Sequence, residues 1–104
     1  MKIDFTRIAI DGLQYFRKFE QNIILEAIQT QLIYEPTVET GNRFRRDPPE
    51  ISEWELRIGQ FRVLYDADEA VMIVRIERIG HKPNNTLRFQ GQPWSGFPRG
   101  RKRL

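Results

Sequence analysis

The segment Trp54-Glu-Leu-Arg-Ile-Gly-Gln-Phe-Arg-Val-Leu-Tyr65 alternates apolar and polar residues on both sides of Gly59-Gln60, with Leu64 the one exception. Glycine at the first central position of a two-residue turn is the signature of a type II′ hairpin. Such a turn sets Arg57 opposite Arg62, with Glu53 and Glu55 on the same face. Two guanidinium groups directly across a sheet repel, so the pattern calls for an anion between them. That anion is either an internal carboxylate, with Glu55 and Glu77 as the candidates, or a bound phosphate, whose oxygens match the guanidinium fork.

A phosphate site flanked by carboxylates permits one specific reaction, RNA cleavage by attack of the 2′-hydroxyl on its neighbouring phosphorus. It requires a base for the hydroxyl, cations for the charge that builds on phosphorus, and an acid for the departing 5′-oxygen. Glu55 or Glu53 is a candidate base. Arg57, Arg62 and Lys82 supply positive charge, and His81, which titrates near neutrality, is the candidate acid. Upstream, Arg43, Arg45 and Arg46 surround Phe44, a composition suited to base stacking combined with phosphate contact. A solvated loop anchored by one phenylalanine is the alternative.

The elements that must position these groups are readable along the chain. Ile3 and Phe5 alternate with polar neighbours, as in a short half-buried strand. Thr6 is a suitable N-cap for a helix over about Arg7–Phe16, where Ala9, Leu13 and Phe16 recur at helical spacing. Arg17–Glu20 reads as a turn. Ile24, Ile28 and Leu32 then form the stripe of a second helix, which Pro36 ends. Residues 35–52 show no period, and Glu53–Ile58, Phe61–Asp66 and Val71–Ile79 read as three strands. The last is apolar enough at its start to be central. Beyond Gly80 only a short edge near Leu87–Phe89 is expected. The resulting fold class is α+β, an N-terminal strand and a two-helix hairpin packed on a small, mainly antiparallel sheet. Residues 1–90 would form the domain and 91–104 a basic, flexible tail.

Composition narrows the function classes. A chain of 104 residues with 39% hydrophobic and 30% charged content is one ordinary globular domain. It has no cysteine and one histidine, which excludes disulfides and makes a structural zinc site a poor expectation. No cofactor or metal is expected. No apolar run reaches the length of a membrane span, and Met-Lys-Ile-Asp-Phe is not a secretion signal, so a cytoplasmic location is expected. The net charge of +3 is unevenly placed: Arg43–Leu104 carries thirteen basic against eight acidic residues, whereas Met1–Asn42 carries four against six. Such a basic half fits a polyanion, an acidic protein surface, or a solubilising bias.

At the hairpin, with the apolar strand ending Ile79-Gly80-His81-Lys82, the sequence resembles the RelE/ParE superfamily of type II toxin–antitoxin toxins. That pattern is a strand ending Leu-Arg, a short turn, aromatic-Arg-Val/Leu-x-Tyr, another strand, and Gly-His/Lys-Arg/Lys. The likeness runs over roughly Lys2–Phe89. It implies a toxin neutralised by a small antitoxin that wraps the helices. RelE-like members cleave mRNA in the ribosomal decoding site, and ParE-like members inhibit DNA gyrase without catalysis. A degenerate toxin acting only in an autoregulatory complex is a third outcome. By position, the resemblance makes Arg62 the residue on the scissile phosphate and Lys82 the second cation. Glu53 and Glu55 stand where RelE proper has lysines, and Arg88 and Phe89 occupy the region of its C-terminal tyrosine. The implied site is therefore Arg62, Glu55, His81 and Lys82 for catalysis, with Arg57, Arg43, Arg45, Arg46 and Arg88 on the RNA.

Overall fold

The structure, a computed structural model, describes residues 1–94. In chain order the elements are β1 (Lys2–Phe5), α1 (Arg7–Gln14), α2 (Lys18–Gln31), β2 (Arg43–Arg45), β3 (Trp54–Ile58), β4 (Phe61–Asp68), β5 (Ile73–His81), β6 (Arg88–Phe89) and β7 (Gln92–Pro93). The strands form one sheet in the order β2-β3-β4-β5-β6-β7. β1 lies parallel to β5, and the other pairings are antiparallel. Two helices on such a sheet are the expected α+β architecture.

The Gly59-Gln60 turn sets the register between β3 and β4. Ile58 faces Phe61, Arg57 faces Arg62 and Trp54 faces Tyr65, with Gly59 at a φ of 56° that glycine adopts without strain. The odd-numbered β4 residues and their partners meet the helices. Trp54, Leu56, Val63, Tyr65, Val74, Ile76 and Ile79 pack with Ala9, Leu13, Phe16, Ile24, Ile28 and Leu32 in one core. Full burial of each large aliphatic side chain is worth ~1.5–3 kcal/mol, so this face holds the fold together.

Thr6 caps α1 as expected. Its hydroxyl oxygen accepts from the Ala9 amide at 3.0 Å and its O–H donates to the Glu77 carbonyl at 2.8 Å. The helix lies close to the sheet because a Cβ on Gly12 would stand 2.4 Å from the Ile79 carbonyl oxygen. α2 starts at Lys18, so the turn expected over Arg17–Glu20 is mostly helix. Glu20 accepts the Arg17 amide at 3.0 Å and caps that end. The loop expected over 35–52 contains the short strand β2. β5 is central, flanked by β4 on one side and by β1 and β6 on the other.

Between Leu64 and Tyr65 the β4–β5 register shifts: Leu64 faces Arg78 and Tyr65 faces Ile76, leaving Glu77 as the extra residue of a bulge. At the C-terminal side, Gln92 and Pro93 pair with β6. The segment expected to be a tail from Gly91 thus opens inside the sheet, and the rest of that tail, residues 95–104, lies outside the described residues. Among the described residues no helix is long and apolar enough to cross a membrane.

Candidate anion and nucleic-acid site

The sheet face away from the helices carries the polar hairpin residues. Alternation places Glu55, Arg57, Arg62 and Leu64 there, and register adds Phe44 opposite Glu55, Gly80 opposite Arg62 and Arg78 opposite Leu64. Arg46, one residue past β2, reaches back to the same face.

Glu55 is the centre of this end. Its Oε1 lies 2.6 Å from Arg46 Nη1, and its Oε2 lies 3.3 Å from Arg62 Nε, close enough to pair but not aligned as a hydrogen bond. The Arg46, Glu55 and Arg62 side chains are only 12%, 8% and 11% exposed. Arg62 Nη1 turns back to donate to the Gly59 and Phe61 carbonyls at 2.7 and 2.9 Å. Burial lowers the Arg62 pKa from its ordinary value; Glu55 opposes the shift and Arg57 adds to it. The anion that the Arg57–Arg62 pairing required is thus internal and shared with Arg46. Arg57 resolves its half of the repulsion differently, stacking over the Phe44 ring at 4.9 Å.

Beside this network is an open cavity of about 240 Å³ lined by Phe44, Arg46, Glu55, Arg57, Lys82 and Leu87 together with Asp47, Pro48 and Glu50. Its lining holds three cations, Arg46, Arg57 and Lys82, and three carboxylates, Glu55, Asp47 and Glu50, and the ring of Phe44 adds an apolar wall. Lys82 is brought here by the hydrogen bond from its amide to the Gln60 carbonyl at 2.8 Å, which extends the hairpin's hold on the chain leaving β5.

Four of the expected site residues lie elsewhere. His81 faces Phe61 across β4–β5, so its ring sits on the helix side, edge-on to Phe16 at 5.2 Å and tilted to Tyr15 at 6.1 Å. Burial lowers its pKa, Arg88 lowers it further, and Glu20 opposes. A neutral imidazole on the far side of the sheet from Glu55 is not placed as the acid partner of that carboxylate. Arg43 also points to the helix side. It donates through Nε to Val38 O at 3.1 Å and through Nη1 to the Gln31 and Tyr34 carbonyls, satisfying the C-terminal end of α2. Arg45 covers the Trp54 ring at 5.0 Å and pairs with Glu53 at 3.6 Å. Arg88, opposite His81, donates to the Gly91 carbonyl at 3.1 Å. The arginines around Phe44 therefore divide between the two faces: alternation along β2 sends Arg43 and Arg45 one way and Phe44 the other.

The far end of the open face is acidic. Asp66, Asp68, Arg75 and Glu77 line a second cavity of about 290 Å³ with Ala67, Val71 and Ile73. Glu77 is pushed up to about 7, first by burial, then by its hydrogen bond and charge repulsion with Asp66; Arg75 partly offsets this. Glu77 was one candidate for the anion between the arginines, but the bulge places it at this opposite end.

Sequence reasoning missed Arg78. Its guanidinium lies 4.0 Å above the Phe89 ring and 6.0 Å from that of Trp94. Its place beside Arg62 depends on the β4–β5 register, which no short turn announces.

No family model and no curated protein matches the sequence. Solved structures do. A chain of the RelBE2 toxin–antitoxin complex from Mycobacterium tuberculosis matches with 26% identity and a TM-score of 0.63, over 77% of this chain and 88% of that one. A chain of the archaeal RelE–RelB complex from Pyrococcus horikoshii OT3 matches with 18% identity and a TM-score of 0.57, over 80% and 96%. The hairpin motif and this likeness agree, and the chain has the RelE-like α+β fold of these structures.

Proposed function

We propose that the protein is the toxin of a type II toxin–antitoxin pair and that it acts on mRNA at the ribosome. The observation that carries this reading is the cavity on the sheet face away from the helices, where Arg57 and Lys82 stand beyond the Arg46–Glu55–Arg62 network and Asp47 and Glu50 complete the lining. Arg57 and Lys82 contact the RNA backbone, with Phe44 as the adjoining apolar wall. Glu55, the buried carboxylate of the network and one of three that line the cavity, is the candidate acceptor of the 2′-hydroxyl proton. The attack closes the 2′,3′-cyclic phosphate as the bond to the 5′-oxygen breaks; the 5′-oxygen takes its proton from water, and Lys82 is the candidate cation for the charge on phosphorus.

A small antitoxin is the second partner. Ile8, Phe19 and Ile23 on the helices and Tyr15 just past α1 are 45–58% exposed, apolar surface of a kind that partners cover. Both matched structures are toxin–antitoxin complexes.

One observation favours a second reading. His81 is on the other face, and Arg62 is already engaged with Glu55 and two carbonyls, so the cavity binds anions more evidently than it cuts them. A binding protein without catalysis, directed at gyrase or confined to an autoregulatory complex, follows from that. The test adds purified protein to a translating extract and maps mRNA ends, with a gyrase supercoiling assay in parallel. Codon-spaced cuts that disappear in Arg57→Ala/Lys82→Ala, with that variant still folded by circular dichroism, support the nuclease. Intact mRNA with blocked supercoiling selects the second reading.

A further inference from the structure

Among the described residues β2, β7 and β1 are the edge strands of the sheet, and the first two are closed to further pairing. In β2 the outward amide of Arg43 donates to Thr40 Oγ1 at 3.0 Å and its carbonyl accepts from the Thr40 amide at 2.9 Å. The Arg45 amide donates to Glu39 Oε2 at 3.2 Å. β7 is two residues long, and one of them is Pro93, which has no amide proton. β1 is different. Lys2 and Thr6 donate to the Met72 and Ile76 carbonyls at 2.9 and 3.0 Å, so by alternation the amides and carbonyls of Ile3 and Phe5 point away from β5. No described donor or acceptor meets them. Beside this edge a mostly apolar cavity of about 280 Å³ is lined by Ile3, Phe5, Leu25, Ile28 and Gln29.

An open strand edge recruits another strand, and the side chains of β1 select which one. Lys2 and Asp4 flank Ile3 with opposite charge. Asp4 lies beside Arg75 on the face away from the helices, whereas Ile3, beside Val74, packs against the core. In an antiparallel pair of two such strands, outward residues must face outward residues. Setting Ile3 against Ile3 of a second copy sets Lys2 against Asp4 and Asp4 against Lys2. The next step in register sets Ile3 against Phe5 and Asp4 against Asp4, which repel. We propose that β1 is a self-association edge, pairing antiparallel with β1 of a second copy of this chain, centred on Ile3 across a two-fold axis. The two isoleucines exchange both backbone hydrogen bonds. The Lys2–Asp4 pairs fall at the intervening positions, where facing Cα atoms approach to ~4.5 Å. Exposed ion pairs add little affinity, so the charges fix the register while backbone bonds and the meeting of the two apolar cavities hold the pair. β4 and β5 separate this edge from the hairpin, so the pairing does not cover Arg57 and Lys82 and is independent of the function proposed above.

Sedimentation equilibrium of the full chain at rising concentration tests this, with folding followed by circular dichroism. The wild type should move from the mass of one chain towards twice that mass. Lys2→Asp gives β1 two acidic side chains and Asp4→Lys gives it two basic ones, so each variant alone should dimerise about tenfold more weakly. An equimolar mixture of the two should recover the wild-type affinity, because every facing pair is then of opposite sign. Ile3→Pro removes an outward amide that β5 does not use, and it should weaken dimers while leaving the fold intact. A mixture no tighter than its folded components overturns the proposal. Single variants that dimerise as tightly as the wild type assign the association to another surface and overturn it too. A wild type that stays monomeric leaves the edge to a strand of another protein, the antitoxin included, and likewise overturns the pairing of copies.

Discussion

The two ends of the sheet face away from the helices carry opposite charge and treat it in opposite ways. At the hairpin end, Glu55 lies between Arg46 and Arg62, and the charges are kept by pairing them. At the far end, Asp66 and Glu77 stand together with only Arg75 to offset them, and the charge is reduced by retaining a proton on Glu77. Pairing leaves surplus cations, Arg57 and Lys82, free to meet an incoming anion. Proton retention leaves nothing comparable, and its mark is instead a dependence of stability on pH.

The largest expected effect comes from breaking the pairing. Glu55→Gln leaves two buried guanidiniums without their counter-ion and should lower unfolding free energy by ~3–5 kcal/mol, read from the midpoint of urea unfolding. A loss below about 1 kcal/mol would show the network to be as weak as a surface pair. Next is the surplus charge. Arg57→Ala/Lys82→Ala should reduce the slope of log affinity against log salt for single-stranded RNA by roughly 0.7 for each phosphate no longer neutralised. Its unfolding midpoint should move little, because neither side chain holds the core. An unchanged salt slope would remove the cavity from the RNA path.

The acidic end yields a smaller, pH-dependent effect. With a folded pKa near 7 against an ordinary 4.5, Glu77 binds more proton in the folded chain than in the unfolded one between those values. Its contribution to stability is full below about 4.5 and is lost as pH rises through about 7. Glu77→Gln should remove that loss, so the variant gains on the wild type from pH 4.5 to 7; parallel pH curves would contradict it. His81 runs the other way, since its lowered pKa makes the folded chain bind less proton and costs stability as pH falls below its ordinary value near 6.5. The smallest effect belongs to His81→Gln, which should leave RNA affinity at neutral pH unchanged, as the ring faces the helices. A large drop in affinity would return the histidine to the site.

What was legible in the sequence follows from how each pairing is specified. The pairing of the β3–β4 hairpin was readable to the residue, because a two-residue turn and an alternation broken only at Leu64 leave little freedom of register. From it came the Arg57–Arg62 pairing, the need for an anion, and Glu55 as one source. The face of His81 was not readable. The link from β4 to β5 is longer and the ladder contains an extra residue, so no count from Gly59 predicts that Gly80, rather than His81, faces Arg62. β2 was hidden because three residues, two of them arginines, make no periodic signal. Arg46 could not be assigned to Glu55 for the same reason, since its reach depends on β2 lying at the sheet edge. The bonds of Arg43 to the end of α2 could not be read from composition: an arginine that satisfies a helix end reads in sequence like one that meets a phosphate.

The bulge at Glu77 acts as a phase shift in the pattern of faces. Before it, Val74 and Ile76 point to the helices; after it, Ile79 and His81 do, so the inward parity changes from even to odd within one strand. A relative with one residue fewer between Asp66 and Gly80 could not keep both halves in place. It would have to give up either the hydroxyl bond from Thr6 to the Glu77 carbonyl or the alignment of Gly80 with Arg62. Alignments of this strand should therefore be anchored separately at its two ends, with the gap assigned to the bulge.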